Sequence, residues 1–474
     1  MLWLILLTIT LASFWLLGGL LTLPHDSREP PLVPQLVPSI GHAQGILYHG
    51  SRYYTRIFSK YPKVPIYTHQ ALFWKIYIVT SPMLASVIDR HSKSISFKPV
   101  IVLFARQILM PSQDALNVLS GGLEDGINGP SGLEEETLRV THQSPMPGKG
   151  LEDITQALLE SVSQRLGNMS LGQGQTRANV ALFAWARGLV TRASTDAIFG
   201  TEKNPFQDPE DFVYLWLNIL PRIVARHAYR ARQRLFDAFY SYYASRGHEH
   251  ASCLVKSRYD VNHKYGISQS DIAHFDLSIS FGILVDTGPL AAWTLYYAFS
   301  SMETLTKPRQ GIFSYVETTR DATTRRILAH HLNVALVMTN YPFLQSFIQE
   351  VLRVHSKNAS TRVVLSDTMI DFEGASYLLK KDSILLIPSG ELHADVDAWV
   401  PSLQPTFRIN EVAIILVMMV CKFDLFSVAK DGWIMPECRP HITTSILSPV
   451  GDLAVEIMER RHADDGLWTF SWSR

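Results

Sequence analysis

Tyr341-Pro342-Phe343-Leu344-Gln345-Ser346-Phe347-Ile348-Gln349-Glu350-Val351-Leu352-Arg353-Val354 is the stretch whose reading decides the fold. Proline suits the first turn of a helix, where its missing N–H costs nothing. Leu344, Phe347, Ile348, Val351 and Leu352 then recur at i, i+3, i+4, i+7, a stripe that has to face a core. Glu350 and Arg353 stand three apart beside that stripe and share a face. Alone, E-x-x-R is a common pattern that reads as a solvated surface pair; where the neighbouring stripe partly buries it, the pair is costly unless well hydrogen-bonded and points to a specific structural role. After the helix the period changes. Residues 362–365, 375–379 and 384–387 read as short strands, with 380–383 as the turn between the last two. Ile387-Pro388 then leads to Glu391-Leu392-His393-Ala394-Asp395-Val396-Asp397-Ala398-Trp399.

Upstream, residues 268–301 form the longest unbroken pattern. Ser268 and Asp271 have capping-box spacing, in which the serine hydroxyl serves free backbone N–H groups. The run is apolar enough to resemble a membrane span. Asp286 near its middle would cost about 2.5–3.5 kcal/mol in a bilayer, and Gly282, Gly288 and Pro289 would loosen it. A helix buried through the centre of a large domain fits better. Residues 64–79 alternate and read as a hairpin. Residues 84–247 are mostly helical, with breaks at 121–132, 167–174 and Asn204-Pro205. Helix returns over 412–426, and 447–458 closes the chain with a hairpin-like pair of apolar runs. Helices followed by small groups of strands mean a mainly α fold with small β-sheets, not alternating βαβ units.

The composition is globular and slightly greasy, with 47% apolar and 18% charged residues and no formal net charge. It offers no basic footprint for nucleic acid. Three cysteines, Cys253, Cys421 and Cys438, are too few and too scattered for a disulfide framework, and no C-x-x-C suggests zinc. Residues 1–23 are uncharged and rich in Leu, Ile and Trp, long enough to span a bilayer as one helix. A cleaved signal peptide would want a basic start and a small-residue cleavage site. Residues 24–46 form a Pro-rich hinge, and 47–474 the globular body. The basic residue nearest the anchor, Arg28, places that body in the cytosol. Asn168-Met169-Ser170 and Asn358-Ala359-Ser360 match the glycosylation sequon, and a cytosolic body keeps both unmodified. The histidine pairs His248/His250 and His330/His331 have no ligand spacing and read as surface residues.

The order of these motifs resembles a microsomal cytochrome P-450, a haem-thiolate monooxygenase. The E-x-x-R helix, the strand ending in Pro388, the His393-x-Asp395-x-x-x-Trp399 stretch, the Pro-rich hinge and the closing 446–455 run all match, over nearly the whole chain. Asp286-Thr287, followed by Gly288-Pro289 and Trp293, is similar to the subgroup of sterol 7-hydroxylases and prostacyclin synthase and to fungal secondary-metabolism members. The resemblance implies a haem cofactor, an NADPH-dependent reductase partner, and insertion of one oxygen atom into a lipophilic substrate at the endoplasmic reticulum membrane. It implies that Asp286 and Thr287 relay protons to bound oxygen, that Arg362 and His393 face the haem propionates, and that Arg408 joins Glu350 and Arg353 in a structural set. Each has a plain alternative: Thr287 bonding its own backbone, Asp286 capping a Gly-Pro kink, and surface cations at Arg362 and His393.

One departure cuts across this. The family supplies its axial thiolate from a Phe-x-x-Gly-x-x-x-Cys-x-Gly loop before the last long helix. Here Pro405-Thr406-Phe407-Arg408 runs straight into Asn410-Glu411 and that helix, as though the loop were deleted between 408 and 411. None of the three cysteines has the glycine frame. Either the true product carries the loop and is an intact monooxygenase of a terpenoid, steroid-like or polyketide pathway, or this chain is a haem-less relative that binds lipophilic ligands or partners. A third expectation, a polytopic membrane protein, needs 277–299 to cross the bilayer.

Overall fold

The apolar stripe at 344–352 does form a helix, spanning Pro342–His355. The computed structural model describes residues 23–34, 42, 45, 48, 50, 52–61, 64–71, 74–124, 132–144, 146, 148–169, 177–206, 226–357, 359–393, 407–438, 445–460 and 466–473. The anchor expected at 1–23 lies, but for Leu23, outside them.

Eight helices carry the argument: α1 (Leu133–Gln143), α2 (Lys149–Asn168), α3 (Leu182–Phe199), α4 (Arg226–Ala244), α5 (Cys253–Lys264), α6 (Gln269–Phe299), α7 (Pro342–His355) and α8 (Phe407–Lys422). The strands are β1 (Ile66–Ala71), β2 (Trp74–Val79), β3 (Ile95–Ser96), β4 (Arg177–Ala181), β5 (Glu317–Arg320), β6 (Ile327–Asn333), β7 (Ala359–Val364), β8 (Thr368–Phe372), β9 (Ala375–Leu379), β10 (Ile384–Pro388), β11 (Phe423–Ser427), β12 (Ala454–Glu459) and β13 (Leu467–Ser471). They gather as a five-stranded sheet (β1-β2-β10-β7-β3), two of three strands (β11-β12-β4 and β13-β6-β5) and the β8-β9 hairpin.

α6 is the central rod. Ser268 caps it, its hydroxyl accepting from the Asp271 N–H, and the Asp271 carboxylate accepts from the N–H and hydroxyl of Ser112 at 2.7 and 2.9 Å. The helix packs most extensively against α3 and also against α4 and α8. It is the one helix among the described residues with the length and apolarity of a membrane span, and most of it is buried against protein. That burial fits a core helix. α8 is more deeply sunk still: from Val412 to Cys421 every residue is buried. Both belong to one large apolar cluster that also takes in α2, α3 and α7.

The hairpin expected at 64–79 is there, β1 pairing with β2 from Ile66↔Val79 to Ala71↔Trp74. The described part of the segment expected as a hinge is stitched to it: Val33 N–H donates to Thr68 O (3.0 Å) and Thr68 N–H to Pro31 O (2.8 Å). Glu29 is buried there between Lys75 and Tyr77. Three expectations are corrected. β9 does not turn back onto β10; it pairs with β8, because Glu373 and Gly374 both adopt positive φ (49° and 79°) and make the tight turn that suits a hairpin's twist. β10 instead enters the large sheet between β2 and β7. The helix expected at 412–426 begins at Phe407 and gives way at Phe423 to β11, whose partner β12 also pairs with β4. The closing run therefore makes no hairpin of its own. Asn168 is the exposed last residue of α2, and Asn358 lies outside the described residues.

Candidate functional site

Where α1, α5, α6, α7 and the start of α8 converge they enclose a cavity of about 1120 Å³. Its walls are largely apolar: Phe97, Ile101 and Phe104 on one side, Leu138 from α1, Ile279 from α6, Leu352 from α7, and Phe407 and Ile409 from α8. Arg258, Thr287, Gln349 and Arg408 are among the polar residues that line it. This is the usual make-up of a small-molecule chamber, apolar walls with a few placed polar groups.

Arg258 is fully committed. Its Nε donates to Asp276 at 2.9 Å, Nη1 to Thr141 at 2.8 Å and Nη2 to Ser278 at 3.2 Å, while the Tyr243 hydroxyl donates to the same Asp276. Burial and Asp276 together hold the Tyr243 hydroxyl well above its usual range. The two residues expected to relay protons lie side by side on α6. Thr287 is buried and lines the chamber. Asp286 is buried as well, and burial raises its pKa against the pull of Arg408.

Arg408 is the main correction. It does not join Glu350 and Arg353. From the first turn of α8 its Nη2 reaches Asp286 Oδ2 at 3.5 Å and the Gly282 carbonyl at 3.4 Å. Glu350 and Arg353 pair with each other through two bonds of 2.8 and 2.7 Å, and Arg353 Nη1 donates to the His393 carbonyl at 2.8 Å. That pair is half in solvent, and its tie to His393 fastens α7 to the segment after β10. Arg362 does not line the chamber. It reaches Ser360 at 2.6 Å and Asp89 at 3.7 Å, and stacks over Phe97. His393 does not line it either; its half-buried ring has a lowered pKa, first from burial.

The sequence reading missed Glu411. It is wholly buried on α8, its carboxyl takes hydrogen bonds from Ser194 on α3 and Thr287 on α6, and burial pushes its pKa up to about 8. The neighbouring Asn410 is buried too, and neither its Oδ1 nor its Nδ2 has a hydrogen-bond partner among the described residues. The available signal was a charge and an amide opening a helix that is otherwise apolar through to Cys421.

The cysteines sit elsewhere. Cys421 is buried near the far end of α8, where burial pushes its thiol up to about 12. Cys438 lies in an isolated bridge with Pro449, and Cys253 is exposed at the start of α5. None lines the chamber.

A mainly helical body with an apolar chamber among its described residues has the make-up of a small-molecule site. Comparison with known proteins is more specific. No family model matches the chain. It is 28% identical to a cytochrome P450 monooxygenase, nodJ, of Hypoxylon pulicicidum, over 98% of this chain and 97% of that one. It is 24% identical to a cytochrome P450 monooxygenase of Gibberella zeae, over 82% of this chain and 73% of that one. It is 21% identical to the cholesterol 7-alpha-monooxygenase of Cricetulus griseus, over 56% of this chain and 55% of that one. Over nearly its whole length the chain is similar to cytochrome P450 monooxygenases. The alignment to the Hypoxylon protein runs over 519 positions, more than the 474 residues of this chain, so that protein has residues with no counterpart here.

That similarity implies haem, which cytochrome P450 proteins hold through an axial cysteine thiolate. The chamber does not fit it: no thiol reaches its wall, and the most deeply buried cysteine is held protonated.

Proposed function

We propose that this chain is a membrane-anchored binder of lipophilic small molecules, drawn from a fungal secondary-metabolite monooxygenase lineage, and that in this form it binds without oxidising. The observation that carries the reading is the chamber itself, large, apolar, and out of reach of all three cysteines. Residues 1–23 would hold the body at the cytosolic face of the endoplasmic reticulum. The walls would strip water from an apolar ligand, and Thr287 and Gln349 would offer it hydrogen bonds. The test is spectroscopic. Full-length chain produced in microsomes with haem precursor should show no thiolate-type band in the reduced carbon monoxide difference spectrum, yet should bind the apolar dye Nile red saturably. A thiolate-type band would overturn the reading.

A second reading is favoured by the longer alignment to the Hypoxylon protein. A transcript with further in-frame codons near Arg408 to Glu411 would encode a haem-dependent monooxygenase served by an NADPH-dependent reductase. Asp286 and Thr287 are then its candidates for proton handling, and a terpenoid, steroid-like or polyketide molecule its substrate. Sequencing the cDNA across those codons separates the two. Extra sequence with a glycine-framed cysteine supports the enzyme; a transcript without it supports the binder.

A further inference from the structure

The chamber wall is apolar but not featureless, and its charges are spent unequally. Arg258 gives its donors to Asp276, Thr141 and Ser278. Glu134 has Lys98 at 3.5 Å. Arg408 is different. Among the described residues its two contacts, 3.4 Å to the Gly282 carbonyl and 3.5 Å to Asp286, both use Nη2. Charge-assisted N–H···O bonds settle at about 2.7–2.9 Å, so Arg408 is loosely held. Its side chain keeps 33% of its exposure although it stands in the chamber wall between Phe407 and Ile409.

We propose that the chamber's ligand is an acid-headed lipophile, and that Arg408 receives its carboxylate. The inference rests on the lipophile-binding reading above and adds the ligand's chemical class. The apolar walls take the hydrocarbon body. The guanidinium fork matches a carboxylate in two parallel hydrogen bonds, a geometry that a lysine could not reproduce. A single negative charge suits the site better than a dianion such as phosphate, because Asp286 stands 3.5 Å from the same guanidinium and would repel the second charge. Asp286 is thus the internal competitor. Its carboxylate holds the fork until a ligand carboxylate replaces it, and its raised pKa lowers the cost of that exchange.

The same carboxylate chemistry has two sources, a lipophilic acid or a porphyrin propionate, and the experiment distinguishes them. The full-length chain in non-ionic detergent is titrated with lauric acid and with methyl laurate near neutral pH, following tryptophan fluorescence. A desolvated charge-assisted pair predicts that laurate binds roughly ten- to a hundredfold more tightly than the ester. Arg408→Met should bring that ratio close to one, and Arg408→Lys should keep part of it. Asp286→Asn should tighten laurate binding by removing the competitor. Equal affinity for acid and ester in the unmodified chain overturns the assignment while leaving the chamber reading intact. If neither ligand saturates, the chamber reading itself fails and takes this inference with it. Haemin is the third arm. It should not displace laurate; stoichiometric displacement with a shifted Soret band would give Arg408 to a propionate instead.

Discussion

Replacing Glu411 by Gln tests the buried polar centre directly. In the folded chain its carboxyl titrates near 8 instead of the ordinary 4.5, because α8 removes it from water. The folded state therefore binds a proton that the unfolded chain releases between those values. For a group whose folded pKa is raised, the stability it contributes is fully present below pH 4.5 and is lost as pH rises to about 8. At about 1.4 kcal/mol per pKa unit the total is about 4–5 kcal/mol, a large fraction of the ~5–15 kcal/mol that holds a typical domain. A chain of this length has an unfolding entropy of about 1 kcal/mol/K, so the loss corresponds to about 4–5 °C in Tm. Glutamine keeps the shape and one acceptor oxygen but cannot ionise. Thermal unfolding followed by circular dichroism from pH 5 to pH 9 should show the parent chain's Tm falling by several degrees more than that of Glu411→Gln. Parallel pH profiles would refute the reasoning, since other carboxylates would then account for the whole slope.

Three further outcomes follow from the same packing. Arg258→Met strands the buried Asp276 carboxylate, whose partner now lies at 2.9 Å; it should cost about 3–5 kcal/mol in urea unfolding, and adding Asp276→Leu should restore most of that. Trp293 is fully buried, donates to the Leu447 carbonyl at 2.8 Å and stacks on His355 at 3.9 Å, so Trp293→Ala should cost about 3–5 kcal/mol by the same measurement. Maleimide labelling of the native chain, read by mass spectrometry, should modify the exposed Cys253 quickly and the buried Cys421 only on unfolding.

Much of the architecture was legible because periodicity reports burial. The stripe from Leu344 to Leu352 forms α7, and the Ser268 cap starts α6 where the spacing predicts. Pairing was less legible. Strands β9 and β10 are adjacent in sequence with a plausible turn between them, yet they belong to different sheets. The deciding residues are Glu373 and Gly374, whose positive φ commits β9 to β8 before β10 begins. Glycine hints at such a turn; glutamate does not. The end of α8 failed for a related reason, since Phe423, Leu425 and Phe426 keep the segment largely apolar and only the partner strand β12 makes it a strand.

The site was harder to read because its chemistry comes from pairs that no local pattern contains. Spacing puts Glu350 beside Arg353, and the structure keeps them together. Spacing says nothing of Arg408 and Asp286, 122 positions apart, or of Thr287 and Glu411. These two links run between the same two helices, α6 and α8, one turn of α8 apart. Arg408 lines the chamber, whereas Glu411, three residues further along the same helix, is wholly buried. Asp286 and Thr287 are neighbours on α6, yet each is tied to a different residue of α8. Any proton passed from the chamber through Thr287 therefore has Glu411, not Asp286, as the acid hydrogen-bonded to it. Glu411→Gln should then perturb Thr287 chemistry in any longer, haem-competent product as well as the stability of this one, whereas Asp286→Asn should act through Arg408.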